Sequence, residues 1–456
     1  MASRKNLLMG VLLILGTACD GYLDVKPKGH YLQERVFSDV STIELAQRGL
    51  YTALSANELY GGTLTMAALD VLGQYYQYPE SQLGHDNVFR SHIMFGMGNY
   101  DYTDSYVANT FTATWTAAYR VILNINSFIA GLKKSHGILS EAEYNLYLGE
   151  AYGLRAYVHF DLLRLFGPVY SEEPDGLGIP YHVVPTPRVQ PVLPAAAVAK
   201  LVLSDLDSAA SCLTLDPLRE ATAGSGGAGR FNYYAVMALY ARVYLYLGAR
   251  EQAARYATIV LEENKGIFGL SADGTLDGEV IFGLTVAQLD AQYRRYFAPT
   301  LRQDLLLSPV FDVLAAIYGG NLMDLRYRNN WKYYPYEGQR IDAFQKYAPP
   351  ATVVPMLRLS ELYFIMAECA ANDNLAFEYL RQVAQSRNET KPDAIPLGDA
   401  LQSAYKREFW GEGQLFFYYK RIFMKEIPSG SGSGQVIAMD KEKYQVPLPK
   451  GEMMYR

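Results

Sequence analysis

Residues 148–170, LGEAYGLRAYVHFDLLRLFGPVY, alternate small, aromatic and aliphatic side chains with few charges. At ~100° per residue, Glu150, Gly153, Tyr157, Asp161 and Arg164 fall on one narrow stripe of a helix. Ala151, Tyr152, Leu154, Val158, Phe160, Leu162, Leu163, Leu165 and Phe166 cover most of the remaining circumference. A helix this apolar is packed on more than one side. Arg155 and His159 stand one turn apart opposite the stripe, so each needs a hydrogen-bond partner from a neighbouring helix. They read as a satisfied core pair rather than as catalytic groups. Gly167-Pro168 then stops the helix.

The same mixture recurs in YAVMALYARVYLYLG and LRLSELYFIMAECAA, each followed after a short break by a second helical pattern, EQAARYATIVLEE and NLAFEYLRQVAQS. Small side chains let two helices approach closely, and a helix pair repeated along a chain is the mark of a TPR-like solenoid. Periodicity places helices at about 41–57, 111–134, 140–166, 195–213, 231–248, 250–264, 357–371, 373–388 and 398–422. The expected fold is therefore predominantly all-α, an irregular TPR-like helix-pair solenoid with long loop insertions at 60–110, 167–194, 265–356 and 423–456. Apolar runs such as 279–284 suit isolated strands but are too few for a sheet-based fold. The runs AGSGGAG (223–229) and SGSGSG (429–434) read as solvent-exposed connections without chemistry.

Composition narrows the function. The 456 residues are 50% hydrophobic and 19% charged, a globular balance, and the formal net charge of -6 gives no general attraction for nucleic acid. Tyrosine is the outlier, with 38 Tyr against 19 Phe and 3 Trp. A ring with an apolar face and a polar tip suits half-wet helix seams, and equally surfaces that bind carbohydrate or peptide.

The amino terminus has Arg4-Lys5, an apolar core at 7–15 and then Gly16-Thr17-Ala18-Cys19, the zones of an export signal. Nine apolar residues are too few to span a bilayer, which needs ~20. Cys19 follows small residues directly, which resembles a lipoprotein signal with Gly16 in the place usually held by Leu. Residues 1–18 would then be removed and Cys19 acylated as the mature first residue, with several acyl chains giving a firm membrane anchor. A plain secretory signal is the alternative. Residues 19–33, with Pro27 and Gly29, read as an extended leader, and 34–456 as one helical domain with a loop-rich binding face. Cys212 and Cys369 lie far apart in helical patterns and read as buried small hydrophobes.

An ordered set of short matches runs through the chain. It comprises Cys19-Asp20 with Tyr22-Leu23-Asp24 and Pro27; Trp115, Tyr119, Ile122 and Asn126; Gly149-Glu150-Ala151, Leu154-Arg155-Ala156 and Phe166-Gly167; and Asp205-Leu206 with Ala209. It continues with Arg230; Pro355, Leu357-Arg358, Glu361-Leu362-Tyr363 and Ala367-Glu368; and Arg407-Glu408-Phe409, Glu412-Gly413 and Arg421. In this order they resemble the SusD/RagB family of nutrient-binding outer-membrane lipoproteins over essentially the whole chain. The resemblance implies a helical fold on TPR-like units and a lipid tail at the outer membrane, with the protein surface-exposed. It also implies a SusC-like TonB-dependent transporter as partner and capture of oligosaccharides, or in the RagB branch peptides, for import.

Chemistry-bearing motifs are sparse. None of the six His residues, at 30, 85, 92, 136, 159 and 182, makes an HExxH or i, i+4 pair, and no GxSxG, P-loop or GxGxxG element occurs. No metal, cofactor or enzymatic activity is expected. Four segments concentrate aromatic rings with hydrogen-bonding neighbours: DVLGQYYQYP (70–79), NYDYTDSY (99–106), YRRYF (293–297) and WKYYPY (331–336). Flat rings stack on the C–H faces of sugars while nearby polar groups bind hydroxyls. This nominates Asp70, Tyr75, Tyr76, Tyr78, Asn99, Tyr100, Tyr102, Tyr293, Tyr296, Trp331, Tyr333 and Tyr334, expected to converge on one shallow site. Helix packing is the competing reading of each segment. A peptide binder, a surface-anchored hydrolase and a TPR-like scaffold are the competing functions.

Overall fold

Ser140 opens the helix on which the fold was read. Its hydroxyl accepts from the Glu143 N–H at 3.3 Å, while the Glu143 carboxylate accepts from the Ser140 N–H at 3.0 Å, a reciprocal capping box that occupies two otherwise orphaned donors. The helix Glu141–Phe166 ends where the Gly167 N–H donates to Leu163 O at 2.9 Å. From Leu148 to Phe166 every side chain except Tyr152 is buried. The computed structural model describes residues 35–454 apart from 81, 84–88, 187, 223–225, 274, 277, 337–338, 390–391 and 433. The export signal, the leader and Cys19 lie outside the described residues.

Two helices flank this one, Ser105–Lys134 and Ala195–Cys212. Where Gly153 faces the next unit, a Cβ would stand 2.4 Å from the Phe231 ring, so only glycine permits the approach. Arg155 forks onto Asp205 at 2.7 and 2.6 Å and reaches Asn126 Oδ1 at 2.7 Å, tying all three helices together. His159 donates from Nδ1 to Arg155 O at 2.9 Å, accepts the His182 N–H at Nε2, and stacks on Tyr181 at 3.8 Å. Burial pushes its pKa down to about 3, so the ring is a neutral core group.

The helices Tyr233–Tyr246 and Arg250–Glu263 form a second pair, and Leu359–Cys369 and Asp373–Ser386 a third that stacks on it. The Val40–Leu54 helix packs on the Ser105–Lys134 helix, so packed helix pairs recur along the described chain on either side of the 265–356 insertion, in the expected TPR-like manner. Among the described residues the strands form five separate two-stranded antiparallel ladders. One of them pairs Val280–Thr285 with Val353–Arg358 and closes the two ends of the 265–356 insertion. Cys212 and Cys369 are free and half-buried.

Two expectations need correction. The helix expected at 398–422 is two helices, Leu397–Glu408 and Gln414–Arg421. Between them Gly411 and Gly413 adopt φ of 82° and 68°, left-handed backbone that glycine tolerates. Their N–H groups donate to the two oxygens of Asp70 at 2.6 and 3.0 Å. The glycine-rich runs are also less detached than expected: Ser429 and Gly430 are buried, with the Gly430 N–H donating to the Gln74 side chain at 3.3 Å.

The insertion is locked to the C-terminal helices by buried charge. Arg358 reaches Glu408, Glu412 and Glu279 at 2.7, 2.9 and 3.3 Å, and Arg387 reaches Glu279 and Glu408 at 2.7 Å each. Arg326 adds Asp324 at 2.6 Å and Glu408 at 3.1 Å. Burial alone would raise the Glu408 pKa, yet Arg387, Arg358 and Arg326 together hold it well below the usual range. Removing one partner from such a network typically costs ~3–5 kcal/mol, because a buried charge is left uncompensated.

Candidate ligand-binding surface

Six residues on each side, Trp331–Tyr336 and Gln339–Phe344, pair as an antiparallel ladder with Trp331 opposite Phe344 and Tyr333 opposite Asp342. Side chains alternate across such a ladder, so its two faces have different fates. One face carries Tyr334, Ile341 and Ala343 onto Leu301 and Leu306, a small separate apolar cluster. The other begins in the main core, where Trp331 meets Trp410 at 4.6 Å and Phe344 at 5.1 Å, and then runs out to solvent. There Tyr333 is 52% exposed. Arg340 is held by Asp342 at 2.7 and 2.8 Å. Its guanidinium lies 5.0 Å from the Tyr333 ring centre and 3.7 Å from that of Phe311, itself 41% exposed. Tyr333, Arg340 and Phe311 thus form an exposed ridge of flat groups fixed by one ion pair.

At the base of the same hairpin an open cleft of about 1160 Å³ is lined by Asn329, Asn330, Gln345, Thr352 and Val353, with Asp273, Thr275, Phe268 and the turn at 226–229 opposite. Its volume exceeds the ~300–1,000 Å³ usual for a small-molecule pocket, which suits an extended ligand. Asn329 donates to Asp273 O at 3.0 Å, and the Gln345 N–H to Asn330 O at 2.8 Å. Hydrogen bonds from Ser271 and then Thr275 bring the exposed Asp273 carboxyl down to about 2. Lys346 turns its ammonium away, to Glu412 and to Trp410 O. Asp273 is the single carboxylate lining the cleft among the described residues, whereas hydrolysis of a glycosidic bond by the usual route takes a pair. Among the described residues no group of three His, Cys, Asp or Glu side chains is placed to hold a metal ion.

Three of the nominated segments meet in the interior rather than at a surface, where the Gln74 amide donates to the Tyr100 hydroxyl at 3.3 Å and the Tyr76 ring lies 6.1 Å from that of Phe297. The Gln77 N–H donates to Ser308 O at 3.3 Å, the Ile93 N–H to Asp304 O at 2.9 Å, and a His92 ring nitrogen meets Leu306 O at 3.1 Å. Most of their rings point inward. Tyr75 and Tyr76 are fully buried, Tyr78, Tyr100, Tyr293 and Tyr296 nearly so, and Trp331 lies in the core. Their hydroxyls bond within the protein: Tyr75 to Lys406 O at 2.9 Å, Tyr78 to Val71 O at 3.1 Å, Tyr100 to Leu72 O at 2.7 Å and Tyr296 to Asn57 Oδ1 at 3.2 Å. Tyr293 accepts from the Gln345 amide at 3.2 Å. The half-buried Tyr102 bonds Lys443 O at 2.6 Å. Asp70 is the buried anchor of the Gly411 and Gly413 turn, and burial raises its pKa well above the carboxylate range. These residues therefore build the platform and, apart from part of the Tyr102 ring, offer no free surface to a ligand.

Tyr333, the half-buried Tyr334 and the exposed Asn99 remain accessible, Asn99 with its amide on Phe95 O at 2.9 Å. Sequence reasoning missed Phe311 and Arg340, as well as Asn329 and Asn330. The alternating run QRIDAF after WKYYPY was the available signal for Arg340, since a hairpin would have set it beside Tyr333. Phe311 carried no signal.

Residues 22–245 match a SusD-like family described as starch-binding and associating with outer membrane. A SusD-like protein of Bacteroides ovatus is 24% identical over 280 residues, 58% of this chain and 45% of that protein. A SusD-like protein of Formosa agariphila is matched over 32% of its length, so the chain aligns with less than half of either of these curated relatives. A solved SusD superfamily protein from Bacteroides thetaiotaomicron superposes with a TM-score of 0.74 at 21% identity, covering 91% of this chain and 98% of that one. Surface glycan-binding protein A from Bacteroides fluxus gives 0.67 at 18% identity, covering 91% and 96%. At these identities the structural likeness speaks for the fold.

Proposed function

The chain is a SusD/RagB-family protein, and from that premise we propose that it is a cell-surface binding lipoprotein that captures oligosaccharides for import by a SusC-like TonB-dependent transporter. The observation that carries the glycan reading is the exposed Tyr333–Arg340–Phe311 ridge standing on the hairpin whose base rims the large cleft. Tyr333 lies three positions beyond Asn330 on the rim, ~10 Å at the rise of an extended chain. One oligosaccharide of several units can therefore stack on the rings while its hydroxyls meet the amides of Asn329, Asn330 and Gln345. The names of fold relatives, a surface glycan-binding protein and a laminarin-binding SusD-like protein, support the same class of ligand.

Anchoring through Cys19 would hold this surface at the outer membrane, and no helix among the described residues is long and apolar enough to cross a membrane by itself. The reading assigns binding without cleavage.

The decisive experiment is a glycan array, with peptides alongside, probed with the wild type and with Tyr333→Ala/Phe311→Ala. A glycan bound by the wild type should lose about tenfold or more in affinity, ~1.4 kcal/mol, while thermal stability stays within a few degrees. Unchanged glycan affinity in the folded double variant, or binding to peptides alone, would overturn the assignment. Purification from membranes should recover a TonB-dependent barrel, and Cys19→Ala should release the protein from them.

A further inference from the structure

A second, smaller pocket of about 250 Å³ lies between the helices Phe311–Ile317 and Leu397–Glu408 and the segment carrying Ser429 and Gln435. Asp399, Gln402, Ser403 and Lys406 line it at i, i+3, i+4 and i+7, one face of the Leu397–Glu408 helix. Val313 and Ile317 supply an apolar wall.

Lys406 sets this pocket apart. It is 7% exposed, yet among the described residues its ammonium has neither a hydrogen bond nor an ion pair. The other two buried lysines of the C-terminal half are satisfied. Lys346 bonds Glu412 and Trp410 O, and Lys420 bonds Gly167 O at 2.7 Å and Leu165 O at 3.3 Å. Buried ammonium groups are normally paired, because an isolated one forfeits hydration without compensation. Burial alone, with no charged neighbour contributing, brings the Lys406 pKa down to about 8. Asp399, two turns away and exposed, is the other charged lining residue, and its distance leaves the ammonium unpaired.

We propose that this pocket binds a carboxylate group, with Lys406 as its counter-ion, Ser403 and Gln435 as neutral donors, and the Val313–Ile317 wall against the rest of the ligand. A single cation with neutral donors matches a monoanion, and Asp399 at the rim disfavours a more highly charged phosphate. The volume admits about one sugar ring or one amino-acid residue, so the carboxylate is that of a uronic acid or of a peptide C-terminus. The site does not depend on the aromatic ridge.

Titration calorimetry of the wild-type protein with galacturonate, galactose, N-acetylglycine and inorganic phosphate tests it. Galacturonate or N-acetylglycine should bind, the first identifying a uronic acid and the second a peptide end, whereas galactose and phosphate should not. Lys406→Met should weaken that binding at least tenfold without lowering the melting temperature, since it removes an unpaired buried charge. Affinity in the wild type should also decline as pH rises above 8, where the ammonium is lost. Should Lys406→Met not fold, the NMR signal of ¹³C-methylated Lys406 in the wild type must move on adding the carboxylate. Tyr333→Ala/Phe311→Ala should leave this binding intact, which separates it from the glycan reading. No binding of either carboxylate, equal binding of phosphate, an unmoved Lys406 signal, or undiminished binding by folded Lys406→Met would overturn the assignment.

Discussion

Residues 70–79 and 331–336 are alike in composition and opposite in fate. In DVLGQYYQYP, Gln74 turns the chain at φ 61° and the rings that follow enter the interior in different directions. Tyr75 stacks on Trp410 at 4.3 Å, Tyr76 lies 6.1 Å from Phe297, and Tyr78 meets His92 at 6.0 Å. In WKYYPY the chain is one strand of a two-stranded ladder with a single neighbour. Alternation there sends Trp331 inward and leaves Tyr333 half in water. Tyrosines in a run reach water only where no other element covers the face they occupy, as on the outer part of this hairpin.

The largest effect that would break this contrast is expected at Tyr75. Replacing it by Ala removes a fully buried ring and should cost ~3–5 kcal/mol in chemical denaturation, while the folded fraction keeps its ligand affinity. A loss below ~1 kcal/mol, or selective loss of binding, would return the segment to the ligand surface. The matching change at Tyr333 should do the reverse, moving affinity and leaving stability within about 0.5 kcal/mol.

A smaller effect reads the interior by pH. Burial raises Glu150 to about 7, against the opposing hydrogen bond from Tyr51 and the charge of Arg230. The folded state therefore holds this proton more tightly than the unfolded chain, whose Glu titrates near ~4.3. The stability it confers is full below that value, falls as pH rises and is gone above about 7. Glu150→Gln should flatten this part of the profile, so the wild type should lose more melting temperature than the variant between pH 5 and 8. Parallel profiles would show that Glu150 is ionised throughout.

The smallest effect is expected at Asn99, whose exposed amide caps its own short helix. Asn99→Ala should change neither glycan affinity beyond twofold nor stability beyond about 0.5 kcal/mol. A larger loss of affinity would extend the binding surface to the segment before the Ser105–Lys134 helix.

Much of the scaffold was legible from local pattern. The apolar circumference of 148–166 and the small residues between paired helices act within a few turns of chain, so the sequence expresses them directly. The pairing demanded of Arg155 and His159 followed from the cost of burying polar groups, and the structure supplies Asp205 and Asn126 for the one and main-chain groups at Arg155 and His182 for the other. The split of 397–421 was not legible, because the turn at Gly411 and Gly413 is held by Asp70, more than 300 residues earlier in the chain. The same separation hid the fate of Tyr75, whose hydroxyl bonds Lys406 O.

By itself, the sequence determined that helix pairs stack into a TPR-like frame, that loop insertions gather aromatic rings, and that no familiar catalytic motif is present. Tertiary structure alone decided which of those rings meet water, that Phe311 and Arg340 join Tyr333, and that the buried Lys406 ammonium has no partner among the described residues. Helical periodicity is a property of neighbours in the chain, whereas exposure is set by whatever distant segment happens to cover a side chain.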